Sequence, residues 1–158
     1  LFEMLTLETF QSGLSWIIIL KKRNNFKIAF DYFNPKIIAE YNDKKIEELM
    51  KDRSIVRNKK KILSTINNAK IYNNKFKNSK KFSDFFWKYV DHEPIISSRK
   101  ELRDIPKNTE LSKKISKKMK ELGFSFCGPV TVYSFMQASG IVNDHLLSCP
   151  HYLKCQKD

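Results

Sequence analysis

The stretch ELSKKISKKMKELGFSFCGPVTVYSFMQASG, beginning at Glu110, constrains the fold more than any other part of the chain. Its first half sets Leu111, Ile115, Met119 and Leu122 at spacings of three and four, the period of one helical face, with lysines on the other. Asn108 or Thr109 stands where an N-cap belongs, and Gly123 stands where a helix stops. Pro129 suits the first turn of a second helix, which Gly140 ends. The β-branched residues of PVTVYSF would also suit a strand, but the Gly/Pro punctuation and the following MQASG favour a helix. Two helices joined by the short connection FSFCG are the prediction.

The rest of the chain repeats this grammar. Leu1 to Gln11 reads as a helix, Ser12-Gly13 breaks it, and Ser15 caps a second helix running through Trp16 to about Asn24. Phe26 to Phe33 reads as helical. Pro35 follows Asn34 at a helix start, and Asp43 caps KKIEELMKD. Ile62, Ile66, Ala69 and Ile71 or Tyr72 share a face of a helix whose start, Arg57 to Lys61, is basic. Ser83 caps a short aromatic helix, and Asp91 to Arg103 is an irregular connection. With 4 Gly and 5 Pro in 158 residues, a turn-rich all-β fold is disfavoured. The fold class is therefore all-α, in one domain spanning residues 1–158.

The apolar run near Trp16 ends at Leu20, too short to cross a bilayer, and no signal peptide is expected. Three cysteines, an odd number, argue for a reducing compartment without a disulfide framework. The first residue is Leu, already inside a periodic helix, so a natural N-terminal segment is expected to precede it.

Three stretches carry chemistry. The net charge of +13 suits a polyanion, although an AT-rich genome would also favour Lys, Asn and Ile. Against that charge, residues 111–140 form a helix-hairpin-helix pattern whose turn and second N-terminus could offer N–H groups to a DNA phosphate. An ordinary αα-hairpin with a solvated lysine face fits the same spacing. In the tail, His145 and Cys149 are four apart and could chelate one metal ion from a helix. His151 and Cys155 repeat the spacing, and Pro150 keeps all four off one helix. A surface histidine and an idle thiol are the plain alternative. In LETFQSGLSW, Glu8 shares a helical face with Leu1, Met4 and Leu5, and a carboxylate there needs a partner or a task. Gly13 permits a sharp turn, so Glu8 and Trp16 could meet at a cleft fit for a flat, cationic ligand. A core tryptophan, with Glu8 serving a backbone N–H, is the alternative.

Together, LFEMLTLETFQSGLSWIIILKKR, SIVRNKKKILSTINNA, FFWKYVDHEP and GFSFCGPVTVYSFMQASGIVNDHLLSC resemble bacterial DNA-3-methyladenine glycosylase I, in order along nearly the whole chain. The resemblance implies a helix-hairpin-helix glycosylase fold and a monofunctional hydrolase. Such an enzyme excises 3-methyladenine from double-stranded DNA by base flipping and leaves an abasic site. It implies that Glu8 contacts the flipped base and is the catalytic carboxylate, and that Trp16 stacks on the base. It implies that Gln11 and Leu14 enter the gap in the DNA. The backbone is then held by Lys59, Lys60 and the hairpin residues Gly123, Phe124, Ser125 and Gly128. The expected setting is a monomer in the bacterial cytoplasm, with no membrane partner.

The resemblance also implies one structural zinc. Two ligands match His145 and Cys149, in a metal-binding tail of about 143–158. The other two belong to an N-terminal segment that this sequence does not contain. Cys127 and Pro129 depart from the Val and Thr, or similar pair, expected in the hairpin turn. Cys127 reads as a small buried residue rather than a nucleophile. The competing reading is a non-catalytic helix-hairpin-helix DNA-binding remnant. A third is a structural all-α domain whose lysines reflect genome composition.

Overall fold

Helix α1 (Phe2–Gln11) is buried almost all round, with Phe2 and every residue from Leu5 to Phe10 inside. Two of these are polar threonines, and both satisfy themselves locally. The Thr6 and Thr9 hydroxyls donate to the carbonyls of Phe2 and Leu5, at 2.9 and 3.0 Å. The remaining helices wrap this rod: α2 (Trp16–Ala29), α3 (Pro35–Ile38), α4 (Asp43–Lys51), α5 (Lys59–Ile71), α6 (Ser79–Trp87), α7 (Glu110–Glu121), α8 (Pro129–Ala138) and α9 (His151–Lys154). Of these, α8, α2 and α5 pack directly on α1. This computed structural model describes residues 1–156; Lys157 and Asp158, the end of the expected 1–158 domain and 143–158 tail, lie outside the described residues. Among the described residues no helix is long and apolar enough to cross a membrane.

Side-chain caps set most helix starts, and they move several expected boundaries. Asn42, not Asp43, caps α4, with Asp43 as its first residue. Helix α6 begins at Ser79 under an Asn78 cap, a turn before the expected Ser83. Thr109 caps α7 in a reciprocal box with Ser112. Helix α2 runs beyond Asn24 to Ala29, but residues 31–33 are not helical in the ordinary hand. Asp31, Tyr32 and Phe33 adopt φ values of 46°, 56° and 55°, a left-handed turn without glycine. Tertiary contacts hold it: the Tyr41 hydroxyl donates to Asp31 at 2.5 Å, and Phe33 stacks on Phe30.

The irregular connection before α7 makes the β contacts found among the described residues, including an isolated parallel bridge from Arg99 to Leu146. Ile95–Ile96 (β1) pairs in parallel with Val142–Asn143 (β2). That pairing fixes the segment leaving α8, and with it Asp144 and His145. Elsewhere the core is aromatic. Phe82 meets Phe86 edge-on at 5.1 Å, and Phe86 meets Phe135 at 4.8 Å.

Candidate active site and nucleic-acid interface

Helices α1 and α8 and the segment after β2 enclose a cavity of about 390 Å³. From α1 and its turn come Glu8, Gln11 and, at the start of α2, half-buried Trp16. From α8 come Ser134 and Gln137, three apart on one helical face. Ile105, Val142, Asp144 and His145 complete most of the wall. The expected meeting of Glu8 and Trp16 at one cleft is therefore what the fold produces.

Glu8 is 4 % exposed, and among the described residues its carboxyl takes no hydrogen bond and no ion pair. Burial alone pushes it up from 4.5 to about 7. The alternative, a glutamate serving a backbone N–H, does not hold. Asp144 is equally buried but surrounded by donors. Tyr133 donates a very short hydroxyl bond, Gln137 donates at 2.8 Å, and the Arg99 guanidinium lies at 3.3 Å. Burial would raise Asp144, yet the bonds from Tyr133, Gln137, Ser97 and Arg99 overcome it and hold the carboxyl below its ordinary value. In return, burial and Asp144 push Tyr133 up to about 12.

Sequence reasoning missed Asp144, Gln137 and Ser134. Their signal was the one that revealed Glu8: polar residues inside apolar stretches, here YSFMQ and IVND. It also missed Lys61, which is 6 % exposed while its neighbours Lys59 and Lys60 face solvent.

The expected DNA-contacting residues fall into two groups. Leu14 is 36 % exposed on the turn between α1 and α2. Gln11 donates to the Leu14 carbonyl at 2.9 Å, and Gly13, at φ 81°, lets the turn close. The hairpin residues lie between α7 and α8, and there the expected donors need correction. The N–H groups of Gly123 and Phe124 bond back to Lys120 and Met119, and that of Ser125 bonds to Asn68. Phe124 is a core side chain against Phe82. The donors without a partner among the described residues lie further on, at Phe126, Cys127 and Gly128 in the turn and at Val130 and Thr131, where α8 begins. Gly123 is needed for its backbone. Its φ is 97°, and a Cβ there would come within 3.2 Å of Ile71. Cys127 is buried and its thiol is raised by burial, so it is no nucleophile.

In the tail, His145 and Cys149 do meet, with Nδ1 and Sγ 3.5 Å apart. They meet across a turn closed by the Cys149 N–H on Leu146, not on a helix as expected, because α9 starts only after Pro150. His151 lies 5.9 Å from His145, ring to ring, and Cys155 is exposed. Among the described residues no three His, Cys, Asp or Glu side chains cluster as a metal site would need. The residues present offer two donors suited to zinc, not a complete tetrahedral set.

The model of the methyladenine glycosylase family matches residues 1–152. The chain belongs to that family. It is 44% identical to a DNA-3-methyladenine glycosylase of Haemophilus influenzae over 150 residues, 95% of this chain and 81% of that protein. It is 43% identical to DNA-3-methyladenine glycosylase 1 of Escherichia coli, over 96% and 81%. A crystal structure of 3-methyladenine DNA glycosylase I superposes with a TM-score of 0.90 at 42% identity, covering 94% of this chain and 82% of that one. The enzyme from Staphylococcus aureus, studied for its recognition of 3-methyladenine, also superposes at 0.90, with 34% identity over 99% and 81%. The all-α class and the glycosylase fold are thus as the sequence predicted.

Proposed function

We propose that this chain is a base-excision repair enzyme, hydrolysing the N-glycosidic bond of 3-methyladenine in alkylated double-stranded DNA and leaving an abasic site. One observation carries the reading above all. Glu8 is a buried carboxyl without a protein donor, facing a cavity that Trp16 also lines. Such a group lacks what a cationic or proton-donating base would bring. Methylation puts positive charge on adenine and weakens its bond to the sugar. When that bond breaks, its electron pair goes to the base, which leaves neutral. Water adds to the electron-poor sugar carbon and loses a proton. Little acid catalysis is needed, so selectivity is the task. A flipped, charged base lowers the cost of ionising Glu8 and stacks on an electron-rich indole, whereas ordinary adenine does neither to the same degree.

The protein acts as a monomer in the bacterial cytoplasm. Gln11 and Leu14 enter the gap left by the flipped base. Lys59, Lys60 and the start of α8 by Gly128 hold the phosphates, while Gly123, Phe124 and Ser125 shape that turn. His145 and Cys149 supply two ligands of a structural zinc whose other ligands the described residues do not provide.

The deciding experiment measures free 3-methyladenine released from methylated DNA by the parent chain and by Glu8→Gln. The variant should release it more than tenfold more slowly, a loss above about 1.4 kcal/mol, with duplex affinity nearly unchanged. Equal rates would remove Glu8 from the pocket's chemistry. Binding without release by either protein would leave a DNA-binding module without catalysis.

A further inference from the structure

The buried ammonium of Lys61 lies outside everything assigned so far. Lys61 is on α5, yet its Nζ donates to the carbonyls of Phe10 and Ser12, at 2.8 and 2.6 Å. These oxygens belong to the end of α1 and the first residue of the turn beyond it. A helix C-terminus gathers carbonyls that lack partners and carries partial negative charge, so a cation is favoured there. Many helices end instead with a glycine turn whose N–H groups fold back on those carbonyls. Here the task falls to a side chain from another helix.

Ser12 is the junction. Its N–H donates to the Glu8 carbonyl at 3.2 Å, and its own carbonyl accepts from Lys61. Two residues on, the Leu14 N–H donates to the Gln11 carbonyl at 2.7 Å, and the Gln11 side chain returns a bond to the Leu14 carbonyl. Trp16 follows at the start of α2. The turn thus joins the two cavity residues that matter most, and Lys61 is the only tie in this set reaching it from outside α1 and α2.

We propose that Lys61 is a positioning residue of the base pocket, holding the turn 11–14 so that Glu8 and Trp16 line one cavity. It touches no substrate. It acts through the turn, and it links the pocket to the same α5 start that presents Lys59 and Lys60 to solvent. The proposal rests on the glycosylase reading for its effect on excision, but its effect on the turn stands independently.

The test compares the parent with Lys61→Met, which keeps a linear apolar stem and removes the donors, and Lys61→Arg, which keeps a cation with several N–H groups. Two readouts are taken: amide hydrogen exchange across residues 9–18 and single-turnover release of 3-methyladenine. In Lys61→Met, exchange in that segment should quicken at least tenfold while α7 and α8 keep their protection. The excision rate at saturating DNA should fall at least tenfold, with half-saturation changed less than threefold. Lys61→Arg should recover most of both. A folded Lys61→Met with parental exchange in the turn, or a parental excision rate, would overturn the proposal. If Lys61→Met does not melt cooperatively, Lys61→Arg decides. A folded Arg variant with parental exchange and rate supports the proposal. One whose turn exchange quickens while excision stays parental overturns it, because positioning would then not matter. A parent chain that releases no base indicts the glycosylase reading, while the exchange data still judge the role of Lys61.

Discussion

Glu8 and Asp144 face one cavity from different elements, and their surroundings drive them in opposite directions. Glu8 sits on α1 among apolar neighbours with no donor, and it rises to about 7. Asp144 follows β2, collects bonds from Tyr133, Gln137, Ser97 and Arg99, and falls below its ordinary value. Burial is nearly equal, at 4 % and 7 % exposed, so burial alone does not decide what a carboxyl becomes. Donors decide. Asp144 is finished by the protein and fastens the wall. Glu8 is left incomplete, as a group must be if a ligand is to complete it.

Removing the finished carboxyl should cost most. Asp144→Ala strands the Tyr133 hydroxyl, Gln137 and Arg99 together, and unfolding should lose about 2–4 kcal/mol of stability by denaturant titration. A loss under about 1 kcal/mol would show that the network is ornamental and break the contrast.

Next comes the signature of the unfinished carboxyl in the stability of the free protein. In the unfolded chain Glu8 returns to its ordinary 4.5, so between there and about 7 the folded state keeps the extra proton. Stability should therefore fall as pH rises through that window, by about 3 kcal/mol, with the full penalty present above it. Glu8→Gln is the reference that lacks this slope. If parent and variant titrate in parallel between pH 5 and 8, Glu8 is not held as described. The sign reverses for Asp144: its contribution is present above the ordinary carboxylate range and is lost as pH falls below it.

The smallest effect should follow from removing one donor. Gln137→Leu takes one of the bonds from Asp144 and leaves the others, which should cost about 1 kcal/mol and move the Asp144 titration upward, visible by carboxyl NMR. An unmoved titration would mean that Tyr133 and Arg99 alone set the state of this group.

The half of this contrast on α1 could be read from the sequence, because Glu8 lies three and four residues from apolar neighbours and its helix is punctuated by Ser12-Gly13. The hairpin was equally legible, since Thr109, Gly123 and Pro129 each carry a local reason for their place. Asp144 was not, because Tyr133 and Gln137 reach it from α8 and Arg99 from the irregular connection before α7, brought together by a strand pairing only two residues long. The same holds for Ser125, whose N–H meets Asn68 from another helix. Lys61 was hidden in a run of three lysines, and periodicity could not say which would be turned inward to meet carbonyls 49 and 51 residues away. The pair His145 and Cys149 was visible by spacing but placed on the wrong backbone, because Pro150 starts a helix later than a spacing of four suggests.

The left-handed turn at 31–33 has a consequence for engineering. A residue with a Cβ is disfavoured in that conformation by roughly 1–2 kcal/mol, and Tyr32, at φ 56° and 72 % exposed, buries little in compensation. Glycine there would remove the strain, offset in part by greater freedom in the unfolded chain. Position 32 lines neither Glu8's cavity nor the hairpin, so it offers a reserve of stability that can be drawn on without touching the chemistry.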